Sequence, residues 1–360
     1  MRPPVLLGAI LATFGQARVR SNRFLMDGSI FSVVRCYANL PTRNHGGTMD
    51  LVDKILQGDT RSAARLISLV ENGSGEAIAA LKALYPHTGR AYVIGVTGPP
   101  GSGKSTLTDQ ITTQLRQMEK SVGVIAVDPT SPFTGGAILA DRIRMQRHSL
   151  DRQVFIRSMA TRGQLGGLSR ATNDVVDILD AMGKDFIIIE TVGVGQDEID
   201  IVKTAHTTLV VAVPGLGDEI QAIKAGIMEI GDIFVVNKAD REGADRTVLE
   251  IEMMLEHSES DSGWRPRIFK TVATRGEGVE ALAQGILEHR EFLFEEHGHR
   301  RKGRDRSRWV FRGLLQERMT TRVMERLVAA GGLEPLIERL ARRETDPYSA
   351  VEEIMEKCGL

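Results

Sequence analysis

Cysteine is scarce in this 360-residue chain, which has only Cys36 and Cys358, one toward each end. No C-x-x-C pair occurs, so the sequence excludes both a disulfide framework and a cysteine-rich zinc site. Low cysteine content is typical of proteins from a reducing compartment, and we therefore expect a cytoplasmic protein.

Long apolar runs and an excess of one charge are also missing. No stretch approaches the roughly 20 apolar residues that a membrane-spanning helix needs. The formal net charge is -1, so no overall field attracts nucleic acid or an anionic membrane surface. The apolar fraction of 42% is ordinary for a globular protein. We expect neither a membrane nor a nucleic acid as partner.

Acidic residues are nearly absent from residues 1–48, which hold six Arg, no Lys and only Asp27. This composition resembles a mitochondrial transit peptide, which would change the expected compartment. The apolar piece 5–14 could instead be the core of a secretory signal, although only Arg2 precedes it. A third interpretation is a start codon assigned too far upstream. We treat 1–48 as a leader that we expect to be disordered.

Helical periodicity begins at Met49, and 49–88 is predicted to be an N-terminal helical segment. Asp59 or Thr60 can cap its second helix. The positions predicted to face inward in that second helix are Ala63, Leu66, Ile67 and Val70. The positions that mark a third helix are Ile78, Leu81 and Leu84.

Seven short runs rich in β-branched residues follow, mostly separated by segments able to form helices. They are 92–96, 122–127, 154–158, 186–190, 208–213, 233–237 and 268–272. This alternation predicts the α/β class, with a mostly parallel sheet that helices cover on both faces. We assign 89–290 to this domain and expect ligands at the carboxyl ends of its strands.

The strands stop near residue 291, and 291–360 is predicted to be a helical extension. Its basic run 300–308 is expected to form a solvated helix face, because Trp309 is the one aromatic beside it. Asp346 is the predicted N-cap of the last helix, with Pro347 at its first position. The positions of that helix predicted to face inward are Val351, Ile354 and Met355.

A phosphate-binding loop is predicted where the first strand ends, because residues 98–105 match G-x-x-x-x-G-K-S between a strand and a helix. Its glycines let backbone N–H groups face phosphate oxygens, Lys104 can reach the β- and γ-phosphates, and the Ser105 hydroxyl can bind Mg²⁺. The predicted nucleotide-binding residues here are Gly98, Pro99, Pro100, Gly101, Ser102, Gly103, Lys104, Ser105 and Thr106.

A base-binding motif N-K-x-D is predicted at residues 237–240, directly after the sixth strand. Asp240 can accept hydrogen bonds from guanine N1–H and N2–H₂, which adenine cannot donate, so the motif favours GTP. Lys238 can lie over the base and Asn237 can brace the loop. The alternative is an exposed polar turn. The residues expected to offer a backbone N–H to guanine O6 are Val272, Ala273 and Thr274.

Three acids are candidate Mg²⁺-side residues. Asp128 and Asp141 flank a loop rich in Gly and Pro, which is typical of a switch segment. Glu190 ends a buried strand, where nucleotide hydrolases hold Mg²⁺, usually through water. Capped turns are the alternative for Asp128 and Asp141, and a helix cap or an ion pair is the alternative for Glu190.

The turn after Glu190 reads E-x-x-G, and the N–H of Gly193 can face the γ-phosphate. Many regulatory GTPases place a water-orienting glutamine next, but Val194 stands here and cannot orient water. Gln196 lies two residues further on, and we do not expect it to take part directly in catalysis. The sequence therefore predicts that the protein alone hydrolyses GTP slowly.

Six motifs in order carry a family resemblance: VTGPPGSGKSTL, VDPTSPFTGGAIL, RSMATRGQLGGLSRAT, IIIETVGVGQDEIDIV, VPGLGDEIQAIKAGIMEI and VVNKADREGAD. Together they resemble the metallochaperone-type P-loop GTPases, in particular the methylmalonyl-CoA mutase-associated GTPases. The resemblance extends from about Met49 to the C-terminus. Ala140 departs from it, since Gly is expected there.

The resemblance implies a GTPase that binds GTP or GDP with Mg²⁺ and forms homodimers through helical arms. It also implies a partner, an adenosylcobalamin-dependent methylmalonyl-CoA mutase, whose cofactor loading the GTPase gates and which it protects. The residues that match the family's phosphate lysine and metal-side acids are Lys104, Asp128, Asp141 and Glu190. The segments that match its three switches are 128–141, 190–198 and 213–224.

Three other functions are compatible with a P-loop domain. A metallochaperone GTPase would need a His or Cys cluster, which two distant cysteines and one H-x-H do not provide. A small-molecule or protein kinase is the second, although N-K-x-D disfavours ATP. The third is a scaffold in which the nucleotide is structural.

Overall fold

The computed structural model describes residues 45–128, 146–148, 150–160, 167–191, 203–215, 231–256, 263–295 and 298–358. Within them lies a parallel sheet of seven strands in the order β3-β2-β4-β1-β5-β6-β7. The strands are β1 Tyr92–Thr97, β2 Val122–Asp128, β3 Val154–Ala160, β4 Phe186–Glu190, β5 Thr207–Ala212, β6 Ile233–Asn237 and β7 Arg267–Thr271.

The seven predicted runs each form one of these strands, which confirms the predicted α/β class. β1 lies at the middle of the sheet, with β4 on one side and β5 on the other. All pairs are parallel, so the carboxyl ends of the strands meet at one edge. The strand order reverses beside β1, and open α/β sheets bind ligands at such a point.

Helices cover both faces of the sheet. The helices of this part of the chain are α1 His45–Leu56, α2 Thr60–Glu71, α3 Gly75–Leu84, α4 Lys104–Gln117, α5 Gly167–Ala181, α6 Ala244–Glu256 and α7 Val279–Glu295. One face packs on α4 and α7, and the other packs on α1, α2, α3, α5 and α6. Burial on both sides explains why the strands are almost continuously apolar.

The N-terminal helices follow their predicted pattern closely. Asp59 caps α2, because its side chain accepts a hydrogen bond of 2.7 Å from the backbone N–H of Ser62. The four residues predicted to face inward in α2 are all buried. The predicted third helix is confirmed as α3, whose buried residues are Ala77, Ala80 and Leu84. The small alanines let α3 approach its neighbours closely.

Three further helices form the C-terminal arm, a name used here for residues 298–358. They are α8 Gly298–Ala329, α9 Leu333–Ala341 and α10 Pro347–Cys358. Asp346 caps α10 as predicted, accepting hydrogen bonds from the backbone N–H groups of Tyr348 and Ser349. Among the described helices, none is long and apolar enough to cross a membrane.

The basic run lies in the first turns of α8, but two of its residues are only partly exposed and pair with acids. Lys302 Nζ lies 3.2 Å from the Asp232 carboxylate, and Arg306 donates to Asp177 at 2.7 Å. The solvated face that we predicted is therefore wrong at these two positions. Periodicity alone could not reveal acids that come from distant parts of the chain.

The last helix departs from its prediction as well. Val351 and Met355 are 57% and 37% exposed, although both were expected to face inward. Apolar side chains of α8 are exposed too, including Phe311 at 65% and Leu315 at 47%. The apolar positions of the arm therefore remain largely uncovered within a single chain.

Candidate nucleotide-binding site

The predicted phosphate loop joins β1 to α4, which begins at Lys104. Gly98, Gly101 and Gly103 have positive φ angles of 139°, 75° and 92°. A Cβ at Gly98 would collide with the carbonyl oxygen of Val211, and one at Gly103 would collide with the Asn237 amide. All three positions therefore favour glycine for its conformation, and Gly98 and Gly103 need it also for their close contacts with neighbouring residues.

Lys104 lies beneath this loop and is 6% exposed. Its ammonium donates hydrogen bonds to the carbonyl oxygens of Gly98 at 2.7 Å and Pro99 at 3.0 Å. These contacts hold a positive charge within the bend of a loop at a helix N-terminus. A helix N-terminus favours anions, so the loop and the lysine together suit a phosphate group.

Ser105 and Glu190 form a buried pair beside the loop. The Ser105 hydroxyl donates to Glu190 Oε1 at 2.6 Å, and the two residues are 7% and 4% exposed. Glu190 reaches the loop because β4 pairs with β1, with Glu190 aligned to Val96. The last residue of β4 therefore meets the first turn of α4.

This pair consists of hard oxygen donors, the kind of ligand that Mg²⁺ prefers in phosphate-transfer sites. Asp128 ends β2, two residues beyond Ala126, which pairs with Glu190, so its backbone lies at the same edge. The Asp128 side chain and the whole of Asp141 lie outside the described residues. Ser105 and Glu190 therefore fit Mg²⁺, and the metal role of Asp128 and Asp141 stays a prediction.

Thr97 and Thr191 form a contact at this edge that the sequence reasoning missed. The Thr191 hydroxyl donates to Thr97 Oγ1 at 3.2 Å, and the Thr191 backbone N–H donates to Val96 O at 3.0 Å. Both side chains are buried. The contact continues the β1–β4 pairing one residue past Glu190, and the sequence signal was a threonine at the end of β1 and another directly after β4.

Asn237 braces the base side of the site. Its amide donates to Ser102 O at 2.8 Å, and its carbonyl oxygen accepts from the Thr271 hydroxyl and the Ala273 N–H, each at 3.1 Å. Asn237 is 2% exposed. One buried side chain therefore ties the phosphate loop to the loops after β6 and β7, which agrees with its predicted bracing role.

The next residues of the motif continue this connection. Lys238 has a positive φ of 56°, and its ammonium donates to Gly101 O at 2.6 Å. The Ala239 N–H donates to Thr271 O at 3.0 Å. Asp240 Oδ2 accepts a hydrogen bond of 2.9 Å from Arg275. The placement of Lys238 over a base stays a prediction.

The backbone hydrogen bonds of residues 272–274 indicate which of the three could donate to guanine O6. The N–H of Val272 donates to Glu277 O at 3.0 Å, and that of Ala273 donates to Asn237. Of these three described residues, only Thr274 has a backbone N–H that donates no hydrogen bond within the protein. Thr274 is therefore the best candidate in 272–274 to donate to guanine O6.

A second cluster of polar side chains is centred on the buried Asp109 of α4. The Asp109 carboxylate, on a residue that is 2% exposed, lies 3.0 Å from Arg147 Nε and 3.3 Å from His148 Nε2. The hydrogen bond to Asp109 raises the pKa of His148 above its ordinary value. The cluster ties residues 146–148, seven positions or fewer after Asp141, to the helix that carries Ser105.

Several predicted residues cannot be assessed from the structure. Asp141, Gly193, Val194 and Gln196 lie outside the described residues, as does the departure at Ala140. Most of the three predicted switch segments lies there as well. Their roles stay predictions, and so do the domain boundaries.

Comparison with known proteins points to one family. A family model described as methylmalonyl-CoA mutase-associated GTPase MeaB matches residues 63–327, well over half of the chain. The match spans the sheet, the phosphate loop, the N-K-x-D loop and most of α8.

Individual relatives agree with that match. A protein of Pyrococcus abyssi named as a GTPase is 52% identical over 312 residues, covering 86% of this chain and 96% of that protein. The protein of Mus musculus named methylmalonic aciduria type A homolog, mitochondrial is 32% identical over 265 residues. That alignment covers 68% of this chain and 63% of the mouse protein.

A solved structure shares the fold. The crystal structure of a LAO/AO transport system kinase has a TM-score of 0.67 and covers 89% of this chain and 100% of its own. Its sequence is 22% identical, so this likeness concerns the fold alone.

Proposed function

We propose that this chain, which belongs to the family of methylmalonyl-CoA mutase-associated GTPases, is a chaperone of an adenosylcobalamin-dependent acyl-CoA mutase. The chain is a P-loop GTPase, as its family and relatives are. The proposed client is methylmalonyl-CoA mutase. The GTPase would gate the loading of cofactor into this enzyme and would protect the enzyme. The family match over residues 63–327 is the observation that carries this proposal.

The proposed chemistry is slow, Mg²⁺-dependent hydrolysis of GTP. Lys104 would neutralise charge on the β- and γ-phosphates, and Asp240 would select guanine. Ser105, Glu190 and the two aspartates would hold the metal ion, which would neutralise charge on the phosphate oxygens. The buried pair of Ser105 and Glu190 supports this arrangement, because burial strengthens electrostatic interactions with a bound ion.

Slow hydrolysis suits a checkpoint that a partner accelerates. Val194 stands where a water-orienting glutamine would be expected, so an added group could raise the rate, by up to about 10⁵-fold in known GTPases. GTP-bound and GDP-bound forms would then report the state of the client complex. The GTPase would act in the compartment of its client, either the cytoplasm or the mitochondrion.

A homodimer formed through the C-terminal arm is part of the proposal. Exposed apolar residues recur along the arm, among them Phe311, Leu315 and Val351. Burying such side chains against a second copy would be favourable. A second chain is the occupant that the family resemblance implies.

Binding to the client is the decisive experiment. Purified protein would be mixed with methylmalonyl-CoA mutase in the presence of GDP, a non-hydrolysable GTP analogue or no nucleotide. We expect the affinity for the mutase to differ between nucleotide states. No binding in any state would overturn the chaperone role, and transfer of the γ-phosphate to an acceptor other than water would point to a kinase.

A further inference from the structure

Arg275 contacts the residue that we propose to read the base. Its guanidinium donates to Asp240 Oδ2 at 2.9 Å, although 35 residues separate the two positions. Arg275 follows the 272–274 segment and belongs to no motif that predicts a role for it. The contact joins the loop after β7 to the loop after β6 at the nucleotide edge of the sheet.

The backbone around Arg275 is a tight turn. The Arg275 N–H donates to Val272 O at 2.9 Å, and the Val272 N–H donates to Glu277 O at 3.0 Å. Gly276 and Gly278 have positive φ angles of 74° and 73°. A Cβ at Gly278 would collide with the carbonyl oxygen of Lys270, so the turn closely follows the strand. Arg275 therefore starts from a constrained backbone position.

Two carboxylates hold the guanidinium in place. Besides its contact with Asp240, Arg275 lies 3.4 Å from Glu277 Oε1. Arginine presents five N–H donors in a rigid plane, so it can bind both acids at once. Each carboxylate oxygen has two lone pairs, so Asp240 Oδ2 can accept from Arg275 and from a base at the same time.

We propose that Arg275 is a specificity-determining residue that positions the Asp240 carboxylate for guanine. The inference rests on the proposed function, because it assumes that Asp240 accepts from guanine N1–H and N2–H₂. Two such bonds require the plane of the carboxylate to match the edge of the base. Asp240 is 39% exposed, so without Arg275 its side chain is free to rotate toward solvent.

The ratio of affinities for GTP and ITP measures this positioning. Inosine lacks the N2 amine, so the ratio isolates the contact between N2–H and the carboxylate. We expect Arg275→Ala to reduce the ratio about two- to fivefold, in keeping with the modest strength of exposed ion pairs. Arg275→Lys should restore part of it. If Arg275 acted only in folding, the variant would lower the affinities for GTP and ITP equally, and their ratio would not change.

Two further variants separate the possible outcomes. Lys270→Ala removes another exposed ion pair of β7, with Asp245, and should leave the ratio at its wild-type value. Asp240→Asn should shift preference from GTP toward XTP, because an amide donor replaces a carboxylate acceptor. No shift in that variant would overturn the base-reading assignment itself. A shift with Asp240→Asn but an unchanged GTP:ITP ratio with Arg275→Ala would overturn only the role of Arg275.

Discussion

The Ser105 hydroxyl donates to the Glu190 carboxylate across 2.6 Å, although 85 residues separate them in sequence. The pairing of β4 with β1 brings the two together, and both are buried at the phosphate loop. A buried carboxylate is costly unless it is hydrogen-bonded or binds a metal ion. The hydrogen bond from Ser105 satisfies one oxygen of the carboxylate, and our proposal is that a bound Mg²⁺ stabilises its charge further.

Replacing Glu190 with Gln tests this explanation. The amide keeps the shape of the side chain but removes the charge that would hold Mg²⁺ or its water shell. We expect Mg²⁺-dependent turnover to fall by about 10- to 100-fold, the usual effect of losing a group that supports a metal ligand. GTP affinity measured by calorimetry should fall much less.

Glu71→Gln provides the matched control, because Glu71 is also a largely buried acid, paired with Arg157 on the edge strand β3. That variant should change stability without selectively changing the Mg²⁺ dependence of turnover. If Glu190→Gln lost nucleotide binding and turnover to the same degree, Glu190 would have a folding role instead.

Asn237 should matter for stability as well as for binding. Asn237→Ala removes bonds to Ser102, Thr271 and Ala273 inside a buried site. Leaving these groups without a partner should lower the free energy of unfolding by about 2–3 kcal/mol. Urea denaturation would measure the loss as a lower midpoint with an unchanged slope.

Thr271→Val separates the individual contacts of Asn237. It removes one hydroxyl donor but keeps the shape of the side chain and the two backbone contacts. We expect a loss of only about 1 kcal/mol. A midpoint for Asn237→Ala as high as that for Thr271→Val would contradict the bracing role.

The sequence predicted much of the fold because its signals were local. Each β-branched run bounded by turn residues forms a strand, since a buried parallel strand must be apolar on both faces. The phosphate loop and Asn237 were also predictable. The close contacts at these positions can be made only by a glycine or an amide. A Cβ added at Gly98 or Gly103, for example, would collide with a neighbouring residue.

Long-range ionic partners could not be predicted in the same way. Periodicity indicates which side of a helix faces inward but not which acid it will meet, so Lys302 and Arg306 were expected in solvent. The contact of Arg275 with Asp240 was missed for the same reason. The exposed Val351 illustrates a different limit, because an apolar stripe does not say whether its partner lies in the same chain.

Asp174 lies in a charged cluster between α5 and the C-terminal arm. The groups that face it are Arg170 and Asp177 on α5 and Arg306 and Glu317 on α8. Arg170 contacts both Glu317 and, at 3.9 Å, Asp174. Burial is the main cause that raises the pKa of Asp174 to about 7, with Arg170 opposing the shift.

Stability should therefore fall as pH rises through this range. The unfolded carboxyl loses its proton near pH 4, whereas the folded one keeps it to about pH 7. The folded state thus binds more protons between these values, and the free energy of unfolding declines as pH increases. Asp174→Asn cannot ionise, so urea denaturation should show it gaining stability relative to wild type between pH 5 and pH 8.

Asp305→Asn is the control for this experiment. Asp305 is an acid of α8 that is 57% exposed and paired with Arg308. Its replacement therefore changes the charge of the arm but does not remove a buried carboxyl. Its difference from wild type should be nearly constant across the same pH range. A similar constancy for Asp174→Asn would mean that the cluster does not favour the protonated carboxyl.

The arm offers a test of the proposed homodimer. Phe311, Leu315 and Met319 recur every four residues on α8 and are exposed by 65%, 47% and 40%, so they form one apolar stripe. Leu315→Asp would place a charge in any interface formed there, and light scattering should report a monomer at concentrations where the wild type is a dimer. Gln316→Asp adds the same charge one residue away, off the stripe, and should leave the dimer intact. A dimer that survives Leu315→Asp, or a wild type that is monomeric at high concentration, would contradict dimerisation through this stripe.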